Sequence, residues 1–73
     1  MKIKIGHRIK ELRMMRLGLT QEEFAEMLDF DRTYLSRIES GKQNLTIDTL
    51  VYICDKLQVS LAEFFESFVE IMD

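Results

Sequence analysis

The chain has 73 residues, 47% of them hydrophobic, with one cysteine, one histidine, no proline and a formal net charge of −3. This length predicts one domain, residues 1–73, with a marginal core, because so short a chain buries only roughly 60% of its unfolded surface. The apolar content excludes a disordered chain, the lone cysteine excludes an internal disulfide framework and fits a reducing cytoplasm, and no apolar run reaches the ~20 residues of a membrane span.

The first residues, MKIKIGHR, lack the apolar core of a signal peptide. Met1 to Ile5 alternates polar and apolar residues and is equally compatible with a short strand, an arm or the lead into a helix. Helix 1 is predicted from about His7 to Leu17, with Ile9, Leu12 and one of Met14 and Met15 facing inward. Lys10, Arg13 and Arg16 are expected in solvent or near an anionic partner. His7 has no second metal-type ligand near it and reads as a surface residue. Gly18 ends the helix and Leu19 anchors the next turn.

The stretch TQEEFAEMLDFDRTYLSRIESGK, Thr20 to Lys42, organises the remainder. Thr20 is placed to cap a helix, with Glu23 three residues on to complete a capping box. Phe24, Ala25 and Leu28 then recur at helical spacing. Asp29 tolerates a left-handed turn, and Asp31 is placed to cap the following helix. There Leu35 and Ile38 face inward, while Arg32, Thr33, Ser36 and Arg37 lie on the opposite side. Gly41 fits a left-handed helix end. Two short helices joined by a tight turn, over about residues 20–41, follow helix-turn-helix logic, in which the second helix carries polar side chains into the major groove. Any small helical domain has capped amphipathic helices, so periodicity alone does not decide. The exposed face does: two arginines and two hydroxyls, with no acid before Glu39, suit an anionic partner rich in hydrogen-bonding groups.

Thr46 is placed to cap helix 4, with Asp48 in its first turn. Ile47, Leu50, Val51, Ile53, Cys54 and Leu57 form a wide apolar stripe, on which Cys54 reads as a buried structural thiol. Ser60 and Glu63 make a second capping box. Helix 5, about residues 60–72, carries Leu61, Phe64, Phe65, Phe68, Ile71 and Met72. Leu61 and Phe64 can be buried within one subunit. Phe65, Phe68, Ile71 and Met72 exceed the needs of so small a core and read as a dimer interface. The fold class is thus all-α, five short helices.

Charge is unevenly divided. Residues 1–42 hold nine Lys/Arg and seven Asp/Glu, and residues 43–73 hold one Lys and six acids, which gives +2 and −5. A nucleic-acid partner responds to a local basic face rather than to the total. Arg32, Thr33, Ser36 and Arg37 are the candidate base-reading residues, because arginine matches guanine bidentately and hydroxyls read several bases. Gln21 at the start of helix 2, with Tyr34, Lys42, Gln43 and Asn44 around helix 3, are candidate contacts to the DNA backbone. Tyr34 has packing against helix 2 as its alternative, and Glu39 is expected to pair with a base of helix 1 such as Arg13. No nucleophile–base pair, glycine-rich phosphate loop or metal cluster is found, so neither an enzyme nor a cofactor is expected.

IGHRIKELR, GLTQEEFAE and YLSRIESGK resemble the text of the lambda-repressor and Cro-like (XRE-type) helix-turn-helix family, over about Ile5 to Phe65. DRTYLSRIESGKQNLTIDTL with VSLAEFF looks more narrowly like the controller proteins of bacterial restriction-modification systems. The Arg32-Thr33-Tyr34 triplet and Asn44-Leu45-Thr46 carry that likeness. The resemblance implies a small homodimeric regulator bound to a palindromic double-stranded DNA operator, cytoplasmic and nucleoid-associated in a bacterium or phage-encoded, with RNA polymerase a candidate further partner. It also implies that Gln21 touches the DNA backbone. Two departures stand out: Leu17 lengthens the link to Gly18 by one residue, and Gln43 replaces a frequent arginine. The alternatives are a phage or mobile-element repressor, an antitoxin-like autoregulator, and a protein-interaction module of the same fold that does not bind DNA.

Overall fold

The computed structural model describes the backbone of residues 2–72 and the side chains of residues 4–66. Five α-helices follow one another: α1 (Lys2–Leu12), α2 (Gln21–Leu28), α3 (Arg32–Glu39), α4 (Ile47–Leu57) and α5 (Leu61–Met72). A π-helical turn, Arg13–Leu17, continues α1. Helix 1 thus begins earlier than the sequence pattern suggests, and Ile3 to Ile5 belong to it rather than to a strand or an arm.

Gly6 is where α1 crosses the end of α3. A Cβ there would touch the Ile38 carbonyl oxygen and lie 2.7 Å from that of Glu39. Only a residue without a side chain lets α1 cross so close to the end of α3. The π turn accounts for a second difference. The Gly18 amide donates to the Arg13 carbonyl, five residues back, with Gly18 left-handed at φ 62°. Such a turn holds one more residue than an α turn, which accommodates the additional residue at Leu17. It also changes which side chains face inward. Met14 and Met15, one of which the apolar pattern places in the core, are 56% and 77% exposed, while Arg13 is buried.

Each later helix is entered by the same devices. Thr20 accepts from the Glu23 amide, and Glu23 accepts from the Thr20 amide at 2.9 Å. Those bonds hold the Glu23 carboxyl below its ordinary range, the backbone amide of Thr20 contributing most. Ser60 and Glu63 repeat the box before α5, Asp31 accepts from Thr33 and Thr46 from Thr49. The residue before each cap is apolar and joins the core: Leu19, Phe30, Leu45 and Val59. Five positions after each stand Phe24, Leu35, Leu50 and Phe64, all buried, so every entry has the spacing of a hydrophobic staple. Three helices end on a left-handed residue, Asp29, Gly41 and Gln58. The amides that follow, of Phe30, Lys42 and Val59, donate to Ala25, Arg37 and Cys54 in the Schellman pattern.

One apolar cluster joins α1 to α5. Ile9, Leu12, Phe24, Leu28, Leu35, Ile38 and Leu50 are all buried in it, as is Cys54, whose thiol pKa burial raises. The wide stripe on α4 is covered except at Ile47 and Val51, which are 64% and 45% exposed. Leu61, expected inside, is 38% exposed, because it occupies the first position of α5, beside the cap. The first turn of α5 is held to α1 by Arg8, which donates to the Glu63 and Phe64 carbonyls at 2.9 Å. Among the described residues no helix is long and apolar enough to cross a membrane.

Candidate nucleic-acid interface

Helix α3 is presented by the turn before it and by the helix behind it. In the turn, Phe30 packs edge-on against Tyr34, with ring centroids 5.0 Å apart. Tyr52 of α4 lies 5.8 Å from Phe30 and donates its hydroxyl to the Leu28 carbonyl at 2.8 Å. Tyr34 is therefore half-buried, packed on Phe30 of the turn. Behind α3, Glu39 is buried. Arg13 donates to both its carboxylate oxygens, at 2.9 and 3.0 Å, and the Gln21 amide adds a third bond at 3.1 Å. Arg13 also donates to the Leu19 carbonyl at 2.7 Å. Glu39 thus pairs with Arg13 as expected, which takes Arg13 out of solvent, and the pair ties the π turn, the start of α2 and the end of α3 together.

The outward face of α3 holds the residues expected to read bases. Arg32, Thr33, Ser36 and Arg37 are all exposed, and with Gln21 they line one open depression. Arg37 is turned toward the following loop, donating to the Gln43 side chain at 3.3 Å and the Lys42 carbonyl at 3.1 Å. Gln43 is partly covered, and Lys42 and Asn44 are exposed beside α3. Gln21 spends one amide N–H on Glu39 and retains the other. Of the residues singled out for an interface between subunits, Phe65 is half-buried and packs edge-on against Phe64, centroids 5.1 Å apart. The side chains of Phe68, Ile71 and Met72 lie outside the described residues.

Two features of the site escape the sequence pattern. A second depression adjoins the first and is lined by His7, Lys10, Gln21, Ser36, Glu39 and Ser40. Helical spacing from His7 to Lys10 was the available signal for their shared face. Tyr52 as the anchor of the turn had no local signal, since its partner is 24 residues away. All residues lining the two depressions come from the first 40 positions, the basic part of the chain.

Comparison with known proteins finds a helix-turn-helix family model matching residues 9–64. Control protein C.MunI of Mycoplasma sp is 44% identical over 64 residues, covering 88% of this chain and 86% of that protein. The crystal structure of the restriction-modification controller protein C.Esp1396I superposes with a TM-score of 0.82 at 40% identity, covering 97% of this chain and 93% of that one. The same controller, as a tetramer in complex with its natural 35 base-pair operator, gives a TM-score of 0.80 at 41% identity, covering 93% and 88%.

Proposed function

The chain belongs to the helix-turn-helix family and resembles its restriction-modification controller proteins; from that premise we propose that it is a controller of this kind, binding a pseudo-palindromic operator as a homodimer. It is a DNA-binding regulator and not an enzyme. Two copies would set their α3 helices in successive major grooves, ~34 Å apart. Arg32, Thr33, Ser36 and Arg37 would meet base edges. Gln21, Tyr34, Lys42, Gln43 and Asn44 would hold the sugar–phosphate backbone, positioning the protein without specifying sequence. RNA polymerase at the regulated promoter is the further partner this reading implies, and the cytoplasm its place of action.

The observation that carries the reading is the exposed Arg32–Thr33–Ser36–Arg37 face beside Gln21 on a helix fixed from behind. The dimer is supported by apolar surface that the single chain leaves open, Ile47, Val51 and Leu61 on α4 and α5, continuous in sequence with the apolar end of α5. A gel-shift titration on DNA from upstream of the protein's own gene, with footprinting, tests it. The expected result is retention at a salt concentration where scrambled DNA is released, and protection with two-fold symmetry. Equal retention of scrambled DNA would overturn the reading.

A further inference from the structure

The depression formed by α1 and the end of α3 shares Gln21 and Ser36 with the depression lined by Arg32, Thr33 and Arg37. A duplex whose major groove received α3 would bring its sugar–phosphate backbone toward the neighbouring depression. Its lining offers the Ser36 hydroxyl, the second amide N–H of Gln21, the Lys10 ammonium and the His7 imidazole, with His7 and Lys10 exposed, while the Ser40 hydroxyl donates to the Arg37 carbonyl. The single acid there, Glu39, is buried and already met by Arg13 and Gln21. The charged neighbours of His7 in the depression are therefore Lys10 from α1 and this neutralised Glu39 from α3; α2 contributes only the uncharged Gln21. This combination of donors matches a phosphate and offers no anion to repel it.

We propose that His7 and Lys10 form an accessory phosphate-holding site beside the recognition helix, in which His7 makes DNA affinity depend on pH. The site rests on the DNA-binding reading above and adds to it residues that face the strand rather than the bases. Imidazoles change charge between about pH 5 and 8, and His7 is the only histidine in the chain. Only the protonated ring adds a cation to the phosphate contacts. Binding therefore takes up a proton, and affinity rises as pH falls.

Random-sequence duplex DNA is the probe, titrated with the full chain over a range of salt at about pH 5.5 and about pH 8. The slope of log affinity against log salt should steepen by about 0.9 per protomer at the lower pH, one further cation displaced, with affinity rising several-fold. His7→Gln should remove that difference. His7→Lys should reproduce, at the higher pH, the slope that the unaltered protein shows at the lower. His7 is exposed, so neither variant disturbs the core. Equal slopes at both pH values, or a pH effect that survives in His7→Gln, would overturn the site. A protein that binds the duplex at neither pH would overturn the DNA-binding reading and the site with it.

Discussion

Glu39 ties its own segment to two others, 18 and 26 residues away in sequence. Its carboxylate and the Arg13 guanidinium are each less than a tenth exposed. Removing one member leaves the other charge buried without a counter-ion, a loss of about 3–5 kcal/mol. Glu39→Ala should therefore lower the urea midpoint sharply, and should loosen α3 even where the chain stays folded; an unchanged midpoint would show that Arg13 finds water. Arg32 makes no bond of this kind and is exposed, so Arg32→Ala should leave stability unaltered. Its expected effect is lost discrimination at one base pair in each half-site, about 1–3 kcal/mol. Competition binding with single-base variants of the operator reads this directly. Uniform weakening across the variants would make Arg32 a phosphate contact.

At the level of helices, the recognition helix is set by its neighbours more than by its own eight residues. Gly6 lets α1 press on the Ile38 and Glu39 carbonyls. Gly6→Ala brings a methyl group against backbone rather than against a side chain that could turn aside, so α1 and α3 must separate. A cost of about 1–3 kcal/mol is expected from overpacking of this type. Thermal melting checks it, and DNA affinity should fall along with stability because the displaced helix is the one that carries Ser36 and Arg37. From the opposite side, the Tyr52 hydroxyl on the Leu28 carbonyl and the Phe30–Tyr34 contact hold the turn. The position of α4 is in this way linked to the entry of α3.

For the whole molecule, that link matters because α4 also carries the uncovered Ile47 and Val51. In the proposed dimer Ile47 and Val51 are buried together with the apolar residues of α5, Phe65, Phe68, Ile71 and Met72. Burying one such side chain is worth about 1.5–3 kcal/mol, and two-fold symmetry counts every substitution twice. Val51→Asp should yield monomers by sedimentation that keep their helical circular dichroism, since Val51 stands outside the core; Phe68→Asp should yield monomers too, and a Phe68→Asp chain that unfolds outright would make Phe68 part of the subunit core. Such monomers should bind a half-site weakly, having lost the gain from two linked contacts. A Val51→Asp protein that stays dimeric would place the interface away from α4.

Local chemistry was sufficient to read most of the elements from the sequence alone. The caps at Thr20, Asp31, Thr46 and Ser60, the left-handed Asp29 and the buried faces of α2 and α3 depend on neighbours within five residues, and the structure bears out each one. So did the polar face of α3, because a helix of known period exposes what its core does not use. The differences arise where a partner is distant. Helix 1 runs from Lys2 and crosses the end of α3 at Gly6. Arg13 turns inward, and Met14 and Met15 outward, because a π turn and a buried carboxylate 26 residues away govern that stretch. Neither cause leaves a periodic trace. The gathering of His7 and Lys10 with Ser36 and Ser40 is likewise a product of the α1–α3 crossing, which packing creates and which no window of the chain contains.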